Sequence, residues 1–141
     1  MIPAPMKRRF VVLIPLFCLA GCAPSAGSGV DTGRFKGDAK AVAQTLDDLS
    51  TAGRKKDGQR ACGELLSHRR VDVLDKAGGC RKAMEDQFDD ADVFKLDVTA
   101  IRVNGDRASA RVLSDFDGTQ RPRTLGLVRE DRRWRLDSVG P

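Results

Sequence analysis

The sequence predicts an α+β domain in which three helices pack on one face of a curved, four-stranded antiparallel sheet. Two observations predict this order of elements. Up to about residue 91 the apolar residues recur at helical spacing, and beyond it they alternate with polar residues at the period of a half-buried strand. The dipeptide Asn104-Gly105, which stands between two alternating runs, also predicts a β-hairpin.

The first 21 residues predict a secretory signal. Three basic residues (7–9) precede an apolar run (10–20) that is shorter than the ~20 residues a transmembrane helix needs. The run ends in Leu19-Ala20-Gly21-Cys22, which resembles the lipobox of bacterial lipoproteins. That resemblance implies cleavage before Cys22, lipid (palmitate included) on this cysteine, and anchorage to the extracytoplasmic face of the cell membrane. The alternative is an ordinary secreted protein in which Cys22 is incidental.

Loss of this signal changes the charge of the protein. Residues 1–21 hold three basic residues and no acidic ones, so their removal lowers the net charge from +5 to +2 and leaves 120 residues, enough for one domain. The basic character of the full chain therefore does not indicate a nucleic-acid partner.

Two of the four cysteines remain after this assignment. Cys18 leaves with the signal, Cys22 carries the lipid, and Cys62 and Cys80 form an even pair in an oxidising compartment. We predict that they form a disulfide enclosing 17 residues, with an expected stabilisation of about 3 kcal/mol. The alternatives are a redox pair or a zinc site, which would need more ligands than these two cysteines and His68.

The mature chain begins with a predicted flexible tether (22–37) rich in Ala, Pro, Ser and Gly, and the domain follows as 38–141. We expect Asp38 to cap the first helix, and a short apolar-patterned piece (71–74) to separate the second helix from the third. The apolar positions are Ala39, Val42, Ala43, Leu46 and Leu49 in the first helix, Ala61, Cys62, Leu65 and Leu66 in the second, and Cys80, Ala83, Met84 and Phe88 in the third.

The sheet begins near Phe94. The alternation slips by one residue between Val98 and Ile101, which predicts a β-bulge, and Asn104-Gly105 predicts a type I′ turn. The third and fourth strands are predicted at 124–129 and 133–139, joined by a turn over 130–132.

The order of these motifs resembles the nuclear transport factor 2-like (NTF2-like) superfamily. The bulged strand, the hairpin from Val103 to Ala108 and the closing stretch from Leu127 to Asp137 carry the resemblance, which spans Asp38 to Val139. It is similar in particular to small actinobacterial lipoproteins of this superfamily, which share a cysteine pair ahead of the sheet. The resemblance implies a cone-shaped cavity between helices and sheet, and it implies no particular activity.

The strand phases predict an apolar wall for this cavity. A ketosteroid isomerase-like reaction would need a desolvated carboxylate and an acidic donor such as Tyr, but the sequence has no Tyr, and Asp97 and Asp115 fall in the phase that faces solvent. Ser114 shares the inward face without a nearby base. We therefore predict no catalytic residue, no metal and no cofactor. The predicted lining residues are Phe94, Leu96, Val98, Val112, Phe116, Trp134 and Leu136.

Three further groups have a functional and a structural interpretation. His68, the sole histidine, is interpreted as a surface residue and not a general base, and the acidic helix residues 86–92 as a solvated face and not a calcium site. Trp134 is interpreted as core, with ligand stacking as the alternative. The basic residues of the last hairpin are interpreted as a solvated face, with contact to anionic lipid as the alternative: Arg129, Arg132, Arg133 and Arg135, with Arg121 and Arg123 nearby.

These observations favour a membrane-anchored, non-enzymatic binding or interaction module. Its expected partners are the membrane, through the N-terminal lipid, and either another protein or a small apolar ligand. The alternative is a lyase or isomerase of the polyketide-cyclase type, which a buried Asp or His in an empty cavity would favour.

Lipidation of Cys22 is directly testable. We expect Cys22→Ser to abolish acyl labelling in cells and to leave uncleaved precursor, because the lipoprotein peptidase acts only after the thiol is modified. Mass spectrometry of the wild-type N-terminus supplies the measurement. An unlipidated wild type, together with a Cys22→Ser protein still cut before residue 22, would exclude the lipoprotein assignment.

Overall fold

The computed structural model describes residues 29–91, 95–115 and 119–141, and within them it confirms the α+β fold. The helices are α1 (Gly37–Arg54), α2 (Gly58–Arg60), which continues as a π-helical turn (Ala61–Leu65), α3 (His68–Lys76) and α4 (Cys80–Asp89). The strands are β1 (Lys95–Asn104), β2 (Arg107–Asp115), β3 (Gln120–Glu130) and β4 (Arg133–Gly140), which form one antiparallel sheet in chain order. No helix in these ranges is long and apolar enough to cross a membrane.

The core lies between α1 and the inner face of the sheet. Helix α1 buries one face, on which Val42, Ala43 and Leu46 are fully inaccessible to solvent. Strands β1 to β3 contribute alternate residues, as the period of two requires, whereas β4 buries three consecutive residues. The buried sheet residues are Leu96, Val98, Ala108, Ala110, Val112, Ser114, Leu125, Leu127, Trp134, Arg135 and Leu136.

Two β-bulges curve the sheet over α1. The pairing of β1 with β2 shifts between Val98 and Ala100, which makes Thr99 the extra residue and confirms the predicted bulge. The pairing of β3 with β4 shifts opposite Gly126 and Leu127, which makes Asp137 the extra residue of β4. Because a bulge bends its strand and increases the local twist, the sheet can form one wall of a cone.

The disulfide joins the π-helical turn to the start of α4. Cys62 and Cys80 are bonded with an S–S distance of 1.97 Å, as predicted. Gly58 permits a close contact between α2 and α4, because an added Cβ there would lie 2.6 Å from the carbonyl oxygen of Arg81. The short helices are therefore held together by a covalent bond and a backbone approach that only glycine allows.

The helical layer differs from the prediction at two positions. The apolar-patterned piece at 71–74 lies within a fourth helix, α3, which begins after Ser67, whose Oγ accepts a hydrogen bond from the backbone N–H of Arg70 (3.1 Å). Asp38 does not cap α1, which begins at Gly37 without a side-chain cap. The carboxylate of Asp38 instead forms an ion pair with Arg129 of β3 (2.6 Å), so a tertiary partner replaces the local one.

The turn of the first hairpin also differs from the prediction in type, whereas the turn predicted between β3 and β4 is present. Asn104 pairs with Arg107, so the turn residues are Gly105 and Asp106, and of these only Gly105 has a positive φ (+58°). The predicted type I′ turn, which needs two positive φ values, is therefore wrong here. The turn between β3 and β4 instead has two positive φ values, +50° at Asp131 and +63° at Arg132.

The folded domain includes residues that precede residue 38, its predicted start. Val30 packs into the core, and its backbone N–H donates to Oδ1 of Asp47 (2.9 Å). Of the predicted tether 22–37, residues 29–37 are described, and the segment 22–28, Cys22 included, lies outside the described residues, as does the signal peptide.

The left-handed conformation of Arg132 predicts a stabilising substitution. An L-residue in this region costs about 1–2 kcal/mol, whereas glycine adopts it freely, and Arg132→Gly would create the Asp-Gly sequence that type I′ turns prefer. After the greater flexibility of glycine in the unfolded chain is subtracted, we expect a gain of about 0.5–1 kcal/mol in the free energy of unfolding by urea denaturation. Arg133→Gly is the matched control, and it should destabilise, since residue 133 is within β4. Equal effects of the two substitutions would contradict this account.

Candidate functional site

A cavity of about 180 Å³ lies between the helices and the inner face of the sheet, at the end where β1 and β3 begin. The helices contribute Leu49 from α1 and Met84 and Gln87 from α4. The remaining described lining residues come from all four strands and are Leu96, Val112, Ser114, Arg123, Leu125, Leu136 and Val139. This cavity has the position that the cone of the predicted fold would have.

The predicted lining residues divide into three groups. Leu96, Val112 and Leu136 line the cavity. Val98 is buried in the core, and Trp134 (5% exposed) lies at the opposite end of the sheet, at the turn between β3 and β4. The side chains of Phe94 and Phe116 lie outside the described residues, as does that of Asp115.

Of the polar lining residues, Ser114 was predicted to face inward, whereas Gln87 and Arg123 were not identified from the sequence. The predicted third strand began at residue 124, whereas β3 begins at Gln120, so Arg123 lies within the strand and on the same face as Leu125 and Leu127. Arg123 pairs with Val112 of β2, which places it beside the cavity wall. The alternation of Arg123 with Leu125 and Leu127 was the available signal.

Trp134 closes the other end of the sheet. The guanidinium of Arg129 stacks on its ring at 4.6 Å from the centroid, and it also pairs with Asp38. Thr45 of α1 donates a hydrogen bond to the carbonyl oxygen of Trp134 (3.2 Å). These contacts give Trp134 the role of core residue that the sequence analysis favoured.

The predicted basic face of the last hairpin is wrong at Arg135. This side chain is buried (8% exposed), and its Nη1 donates to the carbonyl oxygens of Gly63 (3.2 Å) and Leu66 (3.4 Å). Its Nε has no hydrogen-bond partner among the described residues and lies 3.9 Å from Oε2 of Glu130. With Arg129 paired and Arg135 buried, the hairpin turn itself presents only Arg132 and Arg133 as exposed cations.

His68 lies at the surface near Arg135, as expected from its interpretation as a surface residue. Its side chain is 67% exposed, and its Nδ1 and its backbone nitrogen lie 3.2 and 3.0 Å from Oε2 of Glu130. The bulged residue Asp137 accepts hydrogen bonds from Ser67 (2.7 Å) and from two nitrogens of Arg69 (3.0 and 2.6 Å). Arg69, and to a lesser extent Ser67, lowers the pKa of Asp137, although burial opposes the shift.

No carboxylate is found among the described residues that line the cavity. Asp97 is exposed, as predicted from its strand phase. On α4, Asp86 pairs with Lys82 and Asp89 with Lys56, both at 2.6 Å, as on a solvated helix face. Within the described ranges no three His, Cys, Asp or Glu side chains are grouped so that they could hold a metal ion.

Comparisons with solved structures identify the fold. An NTF2-like protein of unknown function from Shewanella baltica superposes with a TM-score of 0.52 at 22% identity, over 74% of this chain and 94% of that one. A second such protein, from Silicibacter pomeroyi, gives 0.52 at 18% identity, over 70% and 89%. A SEC-C motif containing protein from Rhodopseudomonas palustris gives 0.56 at 16% identity, over 67% and 73%.

The chain therefore has the NTF2-like fold. At these identities the similarity establishes the fold alone, and the function must be argued from the site. No family model and no curated protein matches the sequence.

The Asp137 cluster predicts a pH-dependent contribution to stability. Because its folded-state pKa is below the unfolded value, the contribution is fully present above the unfolded pKa of about 4 and is lost as the pH falls through the folded pKa. We expect Asp137→Asn to lower the free energy of unfolding at neutral pH by about 1 kcal/mol, since Arg69 is largely exposed.

Urea denaturation between neutral pH and about pH 3 measures this difference. The gap between wild type and Asp137→Asn should be constant down to about pH 5 and should then shrink. The exposed Asp97→Asn serves as control and should leave stability near the wild-type value throughout. A gap that persists at the acid end would show that the carboxylate charge is not responsible.

Proposed function

We propose that this protein is a lipid-anchored extracytoplasmic lipoprotein that binds a small apolar ligand in its cone and catalyses no reaction. The observation that carries the binding proposal is the cavity of about 180 Å³, lined mainly by aliphatic side chains of both layers. A largely apolar cavity of this size has room for a small apolar molecule, since about 150 Å³ suffices for benzene.

The disulfide supports the extracytoplasmic location. Disulfides persist in oxidising compartments and are rare in cytosolic proteins, so a bonded Cys62–Cys80 pair agrees with export. The lipobox-like run Leu19–Cys22 supplies the anchor in this proposal.

The lining supports binding over acid–base chemistry. Its polar side chains among the described residues are Gln87, Ser114 and Arg123, and none of these is an ordinary proton acceptor at neutral pH. Ser114 Oγ donates to the carbonyl oxygen of Arg121 (3.3 Å), and His68 and Asp97 lie outside the cavity lining. No contact of the described residues favours the lyase or isomerase alternative.

A cavity-filling substitution tests the proposal. We expect Val112→Phe to abolish binding of a neutral apolar probe such as benzene, because the ring would occupy the space between the sheet and Met84. Leu113→Phe is the matched control: it makes a comparable change one residue further along β2, on the opposite face, and should leave binding intact.

Methyl NMR of the full chain in lipid nanodiscs supplies the measurement. On addition of benzene, the methyl signals of Leu96, Val112 and Leu125 should shift and saturate in the wild type and in Leu113→Phe, while that of the exposed Val73 stays unchanged. The signals of Leu96 and Leu125 should not respond in Val112→Phe, whose folding is verified by circular dichroism. Absence of saturable shifts in the wild type, or their persistence in Val112→Phe, would refute binding in the cone.

A further inference from the structure

Arg123 is the one cation among the described residues that line the cavity. It is half-buried on the inner face of β3, next to Leu125 and opposite Val112 of β2. Its side chain therefore lies on the inner face of the sheet, against the apolar wall. Arg111, which precedes Val112 on β2, is exposed on the outer face.

Of the other arginines that are buried or partly buried in the described chain, all but Arg70 have a carboxylate neighbour. Arg60 lies 2.8 Å from Asp48, Arg129 lies 2.6 Å from Asp38, and Arg135 lies 3.9 Å from Glu130. Arg123 has no such partner among the residues that the structure describes. Since partial burial of an unpaired charge is unfavourable, an anion placed beside Arg123 would recover the lost interaction with water.

The surroundings of Arg123 combine this charge with apolar surface. Val139 of β4 lines the same cavity and is 47% exposed, one of two large hydrophobic residues exposed to this extent in the described chain. Gln87 of α4 and the buried hydroxyl of Ser114 add neutral polar groups. A molecule that covers Val139 and fills the cavity would bring one end close to Arg123.

We infer that the ligand is a small amphiphilic carboxylate, with an apolar body in the cavity and its carboxylate paired with the Arg123 guanidinium. The planar guanidinium matches a carboxylate with two parallel hydrogen bonds. A volume of about 180 Å³ suits a body of one aromatic ring or a short branched chain. This inference rests on the proposed binding function and adds the charge that the ligand carries.

A matched pair of probes tests the inference. The full chain in phosphatidylcholine nanodiscs is titrated calorimetrically with 3-phenylpropionate and with its neutral amide, and empty nanodiscs serve as the blank. We expect the wild type to bind the carboxylate about tenfold more tightly than the amide, because the charge-assisted hydrogen bonds form only with the anion. In Arg123→Gln the two dissociation constants should agree within about threefold, with binding of the amide retained.

Arg111→Gln is the control for long-range electrostatics. It removes one positive charge from the adjacent strand on the opposite face of the sheet and should preserve the preference for the carboxylate. A similar loss of preference in Arg111→Gln and Arg123→Gln would overturn the inference, since net charge would then explain the result.

The failure of this inference is distinguishable from the failure of the proposed function. Equal binding of carboxylate and amide by the wild type would overturn the role of Arg123 and would leave apolar binding in the cone in place. Absence of binding by both probes and by benzene would overturn both. Carboxylate binding that Val112→Phe does not weaken would place the anion outside the cavity and would also overturn the inference.

Discussion

The buried guanidinium of Arg135 joins the helical layer to the sheet, and neighbouring contacts extend this attachment. Its hydrogen bonds to Gly63 and Leu66 hold the end of the π-helical turn on β4, where the backbone N–H of Ser67 continues the attachment by donating to Leu136 (2.8 Å). Because a buried cation is costly without compensation, the nearby carboxylate of Glu130 belongs to the same arrangement. The disulfide then links the π-helical turn to α4, which forms part of the cavity wall.

Features that depend on neighbouring residues could be predicted from the sequence. The change of period near residue 91 separates helices from strands, the phase slip predicts the bulge at Thr99, and the pairing of Cys62 with Cys80 follows from elimination once the first 21 residues are interpreted as a signal. Helix α3 also had a local signal. The hydroxyl oxygen of a capping serine accepts a hydrogen bond from the backbone N–H three residues later, and Ser67 stands in this position relative to Arg70. The turn types were harder to predict, since Arg132 adopts a left-handed conformation that its residue type disfavours.

Features that depend on distant partners could not be predicted in this way. Arg135 stands in a run of charged residues, and its burial depends on two carbonyl oxygens 72 and 69 residues earlier. Asp38 is a suitable cap by composition, but the ion pair with Arg129 requires knowledge of how α1 crosses the sheet. The side of the sheet on which Arg123 lies was readable from its alternation with Leu125, whereas its place beside a cavity required the position of α4.

The two edges of the sheet differ in how they resist unwanted association between molecules. At β4, Leu66 forms a parallel bridge with Leu136, so backbone groups that another chain might capture are already engaged there. Within the described part of the chain, no strand pairs with the outer side of β1. That strand instead carries the bulge at Thr99 between the exposed charged residues Asp97 and Arg102, two features that hinder edge-to-edge pairing into aggregates. For a protein concentrated on a membrane surface by a lipid anchor, as proposed here, such protection would keep crowded copies monomeric at this edge.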